Sequence, residues 1–258
     1  MITIEQTNSF KEFNPHFIKK NDIKLGFSWV FNKLAGNSEY NLVDSDDPSK
    51  NVIVKGSCSS DVPCWSPVND GKLHENLCYC GKMYNRFKAN CICSHAVNTL
   101  WTRYSYRLIE LENILGGQLA RAKKSVMVRI HQSGELESVS ELSMWNDLAT
   151  LNPRHSFGIY TKRVDIIRDF VKNYGGFAPN FAVNISVWGS ANMQFAKEFV
   201  FMGLGNAFVV NPVAGYLDGT KHTNCPAYRD GKLIHEIPCE KCRKCYRNTN
   251  SFIECEQH

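Results

Sequence analysis

Three features are absent from this chain of 258 residues, and each absence argues against a class of protein or of site. No apolar run reaches the roughly 18 residues that a transmembrane helix needs, so the sequence offers no membrane span. The opening residues, MITIEQTNSFKEF, lack the basic, apolar and small-residue order of a secretion signal. No continuous basic stripe with interleaved aromatic residues marks a nucleic-acid groove. We therefore expect a cytoplasmic protein with no membrane partner.

Cysteine is absent from residues 94–224, although the chain contains eleven cysteines. Six of them lie between Cys58 and Cys93, and five lie between Cys225 and Cys255. In a reducing compartment, clustered cysteines are typical of metal or iron–sulfur ligation rather than of disulfides. The net charge of +5 is a mild excess that permits a phosphate-bearing partner without requiring one. We expect metal ligation by at least one of the two groups.

The cysteine-free middle of the chain alternates between strand and helix patterns. Strands are predicted in SVMVRIH, HSFGIYT, FAVNISVWGS and NAFVVNP, and helices in SVSELSMWNDLATL, RVDIIRDFVKNYGG and NMQFAKEFVF. Short, nearly continuous apolar strands between helices are typical of parallel β/α units buried on both faces. A further helix is predicted from Ser94 to Leu115, ended by Gly116 and Gly117.

These patterns predict an α/β fold, namely a partial (β/α) barrel of parallel strands with a C-terminal cysteine-rich metal-binding module. An open doubly wound sheet fits the same periodicity. We predict an N-terminal helical and loop segment at 1–57, a barrel core with a cysteine-rich cluster loop at 58–221, and a metal-binding tail at 222–258. Because chemistry gathers at the carboxyl ends of parallel strands, the endings HQSGE, YTKR, SVWGSAN and NPVAG are candidate ligand contacts.

The first cysteine group predicts a metal site. Cys58, Cys64 and Cys78 can hold a [4Fe–4S] cluster by three thiolates, which leaves one iron open for a ligand. Five and then thirteen residues separate these cysteines. The alternative is a structural zinc site with ligands from the later part of the group, drawn from Cys78, Cys80, Cys91, Cys93 and His95.

The segment CYCGKMYNRF, which begins at Cys78, resembles the last cluster cysteine and the following basic stretch of radical S-adenosylmethionine (SAM) enzymes of the spore-photoproduct-lyase kind. The resemblance implies that Cys58 and Cys64 are the first two ligands. It also implies a [4Fe–4S] cluster and SAM as cofactors, with an external electron donor as a partner.

The strand endings carry the same resemblance in the same order. Ser133, Gly134 and Glu135 are similar to the Gly-Gly-Glu-Pro-like motif that ends the second strand of that family and binds the methionine amino group of SAM. The third and fourth strand endings of the family resemble those at Thr161 and at Ser186 with Gly189. The resemblance therefore implies cofactor contacts from the following residues: Ser133, Gly134, Glu135, Thr161 and Ser186.

A resemblance that covers most of the chain is to the phage and plasmid gene product 88-like family. The matching features are the Cys-Tyr pair at Cys78, a His-x-Ser-Gly-Asp-like strand end in which Glu135 replaces the aspartate, and the Tyr-Thr-Lys strand end at Thr161. The terminal Cys-Pro and Cys-x-x-Cys-x-x-Cys runs complete the pattern. This resemblance implies a phage or mobile-element origin and, with it, the host-cell cytoplasm. It does not supply a substrate; we expect a nucleotide or a nucleic acid only by analogy with other phage-encoded enzymes.

The second cysteine group gives a metal signal of its own. Thirteen residues separate Cys225 from the run Cys239-x-x-Cys242-x-x-Cys245. Four thiolates at this spacing suit either a tetrahedral zinc ion or a second iron–sulfur cluster. Cys255 and His258 are spare candidates, and their ordinary role is that of a solvated tail.

The leading hypothesis is a radical-SAM-like enzyme in which Glu135 and His131 are catalytic, and Glu135 accepts the ammonium group of SAM. Their ordinary structural roles are a carboxylate that complements a helix dipole and a packed strand-end histidine. A second hypothesis is a zinc-binding TIM-barrel enzyme that modifies DNA bases and resembles the deazaguanine transglycosylases, with Glu135 or Asp218 as the nucleophile. A third is a non-enzymatic, zinc-bearing nucleic-acid-binding protein.

Overall fold

The alternation predicted for the middle of the chain is present in the computed structural model. The structure describes residues 2–6, 15–22, 26–44, 46–58, 80, 84, 88–188, 192–210, 222–226, 228–229, 232–233, 237 and 239–255. These residues form the strands β1 (Ile2–Gln6), β2 (Ile18–Asp22), β3 (Gly26–Phe31), β4 (Glu39–Asp44), β5 (Val52–Lys55), β6 (Met127–Ile130), β7 (Ser156–Thr161), β8 (Phe181–Trp188), β9 (Asn206–Val210), β10 (His222–Asn224), β11 (Tyr228–Arg229), β12 (Lys232–Leu233) and β13 (Phe252–Cys255). The helices are α1 (Lys88–Arg103), α2 (Ser105–Ala120), α3 (Val139–Leu151), α4 (Val164–Tyr174), α5 (Met193–Phe201) and the short α6 (Cys239–Cys242), with 3-10 turns at Pro48–Lys50 and Lys244–Tyr246.

The segment predicted as one helix ending at Gly116 forms two helices instead. Tyr104 has extended backbone angles (φ −101°, ψ 113°) and separates α1 from α2. The prediction that Gly116 and Gly117 end the helix is wrong, because α2 continues through both of them. Leu115 and Leu119, on either side of the glycines, are fully buried in the core. Their packing outweighs the roughly 1 kcal/mol by which each glycine disfavours a helix interior.

A mostly parallel sheet of eight strands organises the chain, in the order β10–β13–β9–β8–β7–β6–β3–β2. Every neighbouring pair in it is parallel except β2 and β3. Five parallel strands of this sheet, β3, β6, β7, β8 and β9, lie side by side in the order in which they occur along the chain. The strands β4 and β5, which come between β3 and β6 in the chain, belong to a different sheet. The α/β class and the parallel sheet are therefore confirmed, and all four predicted strands of the middle region are present.

The two faces of this sheet differ in chemistry because successive side chains of a strand point to opposite sides. The helix face includes Ile130, Ile159 and Ile185, which are fully buried in one core with residues of α2, α3, α4 and α5. The polar face carries the alternate side chains of the same strands, which include Arg129, Tyr160, Asn184, Ser186 and Asn206. Its partner is the cysteine-rich segment near the C-terminus.

A smaller sheet, in the order β1–β4–β5, and helix α1 enclose a second core. That core contains the buried thiols of Cys80 and Cys93 together with Tyr40, Leu42 and Tyr84. Partly buried Cys58 and Cys91 pack against it. The chain between β3 and β6 thus brings the described cysteines of the first group together.

The three predicted segments contribute to one sheet. β3 comes from the segment 1–57, whereas β10 and β13 come from the tail 222–258, and all three pair within the main sheet. The proposed boundaries at residues 57 and 221 stay predictions. Within the described ranges, no helix combines the length and apolar character that a membrane span requires.

Candidate functional site at the strand ends

The loop between β6 and α3 adopts a backbone that only particular residues tolerate. His131 and Gly134 have positive φ angles of 54° and 82°. A Cβ atom on Gly134 would lie 2.6 Å from Ser57 Oγ and 2.7 Å from Lys33 Cβ, so no larger side chain fits here without displacement. The backbone N–H of Glu135 also donates to Ser57 Oγ at 3.0 Å. The loop is therefore tied to the chain just before Cys58.

Glu135 lies at this loop as a buried carboxylate, 5% exposed, held by neutral donors. Its Oε1 accepts from the Leu136 N–H at 2.9 Å and from the Thr161 hydroxyl at 2.7 Å. Its Oε2 accepts from the Lys162 N–H at 2.9 Å. Glu135 has no ion pair among the described residues; Arg163, which pairs with Asp165 at 2.6 Å, acts on it only as a nearby positive charge. One lone-pair direction of Oε2 has no donor in the described part of the chain.

Glu141, in the first turn of α3, has the opposite surroundings. Lys33 Nζ lies 3.0 and 2.9 Å from its two carboxylate oxygens, and the Lys33 and Glu141 side chains are both fully buried. His131 Nε2 lies 3.1 Å from Glu141 Oε1. Lys33 also pairs with Glu137 at 2.8 Å. Burial alone raises the pKa of Glu141, but Lys33 and His131 outweigh it and hold the pKa at about 2.

Helix α3 is capped without Glu135. Ser138 is the N-cap residue, and its Oγ accepts from the Glu141 N–H at 3.1 Å. The Glu141 carboxylate in turn accepts from the Glu137 N–H at 3.0 Å, which satisfies a further free N–H near the helix start. Glu135 instead joins the ends of β6 and β7. The capping role is thus filled by the Ser138–Glu141 pair.

A hydrogen-bonded hub connects the loop to the first cysteine group. The Tyr84 hydroxyl lies 3.1 Å from Ser133 Oγ and 3.0 Å from His95 Nδ1, and it accepts from the Ala35 N–H at 3.0 Å. Burial, and then the nearby Cys80, raise the pKa of Tyr84 well above its usual range. Cys80 Sγ lies 3.6 Å from the carbonyl oxygen of Gln132 in the same loop. A thiol thus touches the segment HQSGE directly.

The predicted ligands of the first metal site are only partly described. Cys58 lies directly after Ser57, and its N–H donates to the Gly36 carbonyl at 2.9 Å. Cys64 and Cys78 lie outside the described residues, as do Gly189, Asp218 and His258. Burial raises the pKa of the Cys93 thiol to about 12, as expected for a thiol packed in an apolar core.

The second cysteine group lies on the polar face of the sheet. Asn184 Nδ2 donates to the carbonyl of Cys245 at 3.0 Å, and Asn206 Nδ2 donates to the carbonyl of Arg247 at 2.9 Å. A Cβ atom on Gly158 would lie 2.8 Å from the Tyr246 ring and 3.1 Å from the Cys245 carbonyl. The glycine in β7 is therefore what admits the segment so close to the sheet.

The thiols of this group are neighbours. Burial and, to a smaller extent, the neighbouring Cys225 and Cys239 raise the pKa of Cys245 to about 12. Cys225 is fixed by its N–H, which donates to the Glu254 carbonyl at 2.8 Å. In the ranges that the structure describes, no three His, Cys, Asp or Glu side chains are arranged as a metal site. The cysteine thiols of the second group are suitable ligands for a thiolate-bound metal ion. In the structure, however, they are not arranged around one common point.

A family model for gene product 88 matches residues 41–248, which is most of the chain and includes the strand-end loop, the first cysteine group and every cysteine of the second group except Cys255. The chain belongs to the gene product 88 family. No curated protein and no solved structure matches it. The match confirms the expected gene product 88 resemblance, and its phage-type character agrees with the predicted origin.

The predicted cofactor residues of this gene product 88 family member fall into two places. Ser133, Gly134, Glu135 and Thr161 lie together, with a direct contact between Glu135 and Thr161. The buried side chain of Ser186 lies on the polar face of the sheet. Thr161 pairs with Ile185 and lies on the opposite, helix-covered face. The structure therefore brings four of the five residues together and sets the fifth on the other side of the sheet.

Three residues of the site were not predicted. Lys33 and Glu141 form its buried ion pair, and Tyr84 joins it to the first cysteine group. For Glu141 a signal exists in the sequence, because Ser138-x-x-Glu141 before an apolar helix is a capping box. For Lys33 the only signal is its place two residues after the apolar strand FSWVF. Tyr84 offers none, since an aromatic residue near cysteines is ordinary.

Proposed function

We propose that this protein is a radical-SAM-type iron–sulfur enzyme that modifies a nucleotide or a nucleic acid. The observation that carries the proposal is the Glu135 carboxylate, which is buried at a strand end and has three neutral donors but no direct ion pair among the described residues. A buried charge is costly unless an opposite charge compensates it. An ammonium group of a ligand would supply that charge and a donor for Oε2.

The order of the sheet supports a partial barrel. Strands β3, β6, β7, β8 and β9 lie side by side in chain order, and the buried residues of α2–α5 all pack on the helix face. In a (β/α) barrel the helices lie outside, and ligands bind at the carboxyl ends of the strands. The first cysteine group follows β3, and the Glu135 loop follows β6. Both therefore belong to the same end of the sheet.

Within this site the chain's own groups have separate roles. Glu135 would accept the SAM ammonium through Oε2, while Thr161 and the Leu136 N–H fix the carboxylate through Oε1. Gly134 lets the loop pack directly against Ser57 and Lys33, where any side chain would collide. Contacts from Ser133 and Ser186 and a catalytic role of His131 stay predictions; the His131 side chain is fully buried beside Glu141.

The cysteines would hold the metals. In this proposal Cys58, Cys64 and Cys78 would hold a [4Fe–4S] cluster, which would supply one-electron reducing chemistry toward bound SAM. A zinc ion or a second cluster would be bound by the C-terminal cysteines, Cys225, Cys239, Cys242 and Cys245. An external electron donor and a cytoplasmic location complete the proposal. The substrate class rests on the phage-type family and the charge of +5.

Iron analysis of protein purified without oxygen tests the proposal. We expect a brown protein with about four irons for the first site, as a [4Fe–4S] cluster requires. Cys58→Ser should lose that iron. The matched control is Cys93→Ala, which removes a fully buried thiol of the same core and should keep the iron. A colourless protein that contains only zinc would contradict the proposal.

A further inference from the structure

Three aromatic rings surround one arginine at the junction of α1 and α2. Tyr104 and Tyr106 are 46% and 70% exposed, and their ring centroids are 5.7 Å apart. The guanidinium carbon of Arg107 lies 5.5 Å and 5.7 Å from these two centroids, and 5.2 Å from the centroid of the Trp101 ring. These distances are those of cation–π contacts. We term these four residues the aromatic platform.

The platform lies outside the packed core. The buried face of α2 is formed by leucines that include Leu108 and Leu111, whereas Tyr106 and Ile109 on the opposite face are both 70% exposed. Trp101 is partly buried against the main core and so fixes the platform to the scaffold. Large exposed apolar and aromatic side chains that lie together are typical of a binding surface.

The charge along α2 is positive and not neutralised within the described residues. Arg107 takes part in none of their ion pairs. Beyond the end of the helix, Arg121, Lys123 and Lys124 are exposed. The segment 104–124 contains four basic and two acidic residues. Cations of this kind attract phosphate groups, and exposed aromatic rings are surfaces on which nucleic-acid bases stack.

The platform adjoins the candidate site at the strand ends. Arg103, the residue before Tyr104, donates from Nη2 to the Glu137 carboxylate at 2.8 Å and to the Lys55 carbonyl at 2.6 Å. Glu137 follows Glu135 by two residues in the same loop. A ligand on the platform would therefore lie beside the loop that contains Glu135.

We propose that the aromatic platform binds single-stranded nucleic acid and holds it beside the Glu135 loop. Bases stack on the exposed faces of Tyr104 and Tyr106, and Arg107 contacts a phosphate. A duplex conceals its base faces within its own stack and should bind more weakly. The inference rests on the nucleic-acid substrate of the proposed function and gives that substrate a binding surface. Binding to the platform requires neither SAM nor iron.

Fluorescence anisotropy of labelled strands, measured with the full chain, tests the inference. The probes are a DNA strand of about 12 nucleotides, the RNA strand of the same sequence and the DNA duplex, within the range of single-strand site sizes. We expect the wild type to bind at least one single strand more tightly than the duplex. The preferred strand identifies DNA or RNA as the ligand.

Variants of the platform should weaken this binding. Tyr104→Ala and Tyr106→Ala should each lower the affinity about 10-fold, as loss of one stacked base requires. Arg107→Gln should reduce the slope of log affinity against log salt concentration by about 0.7, which corresponds to one phosphate contact with a single strand. Arg107→Lys should retain that slope because it retains the charge.

Tyr174→Ala and Arg168→Gln are the matched controls. Tyr174 is 58% exposed at the end of α4, and the guanidinium carbon of Arg168 lies 5.1 Å from the ring centroid of Phe195. Both variants should bind the strands like the wild type. Circular dichroism checks the fold of every variant, and the salt slope of Arg107→Gln decides the question if neither platform tyrosine variant folds.

Three results would overturn the inference: no binding of either single strand, equal binding of the duplex, or unchanged affinity in the folded tyrosine variants. An unchanged salt slope in Arg107→Gln overturns it where that variant has to decide. A chain that contains iron and binds SAM but binds no strand contradicts this inference alone. A chain that binds strands through the platform but contains only zinc supports it and contradicts the radical-SAM proposal.

Discussion

The surroundings of Glu135 and of Glu141 differ, although both carboxylates are buried at the same end of the sheet. Glu141 has the Lys33 ammonium and the His131 ring within 3.1 Å. Glu135 has three neutral donors and no ion pair among the described residues. A buried carboxylate with cations of its own chain is complete, whereas one without them retains a charge that a ligand can neutralise.

This difference separates a structural role from a binding role. The Glu141 network fixes the start of α3 and the position of Lys33, whose backbone carbonyl accepts from Ser133 Oγ at 3.0 Å. The network thereby holds the loop in which Glu135 lies. Variants of the first network should reduce stability, and variants of Glu135 should reduce ligand binding. The predictions below use that contrast.

Lys33→Met should have the largest effect on stability. It leaves the buried Glu141 carboxylate without its main cation, and breaking one side of a buried ion pair typically costs about 3–5 kcal/mol. Urea unfolding measures the change. Lys50→Met is the matched control, because Lys50 pairs with Asp47 at 3.2 Å at the surface, where water screens the pair, and its loss should leave the stability almost unchanged. Equal costs for the two variants would contradict the contrast.

Where Lys33→Met does not fold, the double variant Lys33→Met with Glu141→Leu provides the test. It removes both buried charges of the pair and should be more stable than Lys33→Met alone. A double variant as unstable as the single one would show that the lost ion pair is not the cause.

The pH dependence of the unfolding free energy should show the lowered pKa of Glu141. The folded state holds its pKa at about 2, below the ordinary value of 4.5. Its contribution is therefore fully present above about pH 4.5 and is lost as the pH falls through about 2, on the order of 3 kcal/mol. Urea unfolding between pH 5 and pH 2 checks this in the wild type and in Glu141→Gln. Parallel curves for the two proteins would contradict it.

Two glycines with the same backbone angle separate strain from packing. Gly134 and Gly175 have φ angles of 82° and 81°, but a Cβ on Gly175 meets nothing within 4 Å. Gly175→Ala should cost about 1–2 kcal/mol for the left-handed backbone alone. Gly134→Ala should cost roughly 1–3 kcal/mol more, because its Cβ collides with Ser57 and Lys33. Thermal unfolding measures the loss of stability in each variant. Equal losses would mean that the Gly134 loop shifts to accommodate the new Cβ, which would contradict the prediction.

The parallel sheet could be predicted because its strands are apolar runs separated by helices with clear ends. The segment from Ser156 to Thr161 and the helix from Val139 to Leu151 match their predicted ranges closely. The strands β1 to β5 could not be predicted individually, because their pairing depends on partners distant in sequence. The glycine pair in α2 misled the prediction, since tertiary packing outweighs a local propensity.

The candidate site was predictable only where its residues are adjacent in sequence or end consecutive strands. Glu135 and Thr161 meet because β6 and β7 are parallel neighbours. The Lys33–Glu141 pair joins residues 108 positions apart, and no periodic pattern encodes such a contact.

Glu135→Gln should have the smallest effect on stability, about 1 kcal/mol or less, because the amide keeps most of the hydrogen-bonded shape. Its effect on ligand binding should be large. Glu137→Gln is the matched control, since the half-exposed Glu137 already pairs with Lys33 and Arg103. It should bind SAM like the wild type.

Calorimetry of SAM binding to the iron-loaded chain, carried out without oxygen, therefore tests whether Glu135 binds the ligand while the carboxylates that are paired within the chain do not. We expect one SAM per wild-type chain, and at least about 10-fold weaker binding to Glu135→Gln with unchanged iron content, as loss of a charge-assisted hydrogen bond requires. Equal SAM affinity in Glu135→Gln and wild type, or no SAM binding by an iron-loaded wild-type chain, would contradict the assignment of Glu135.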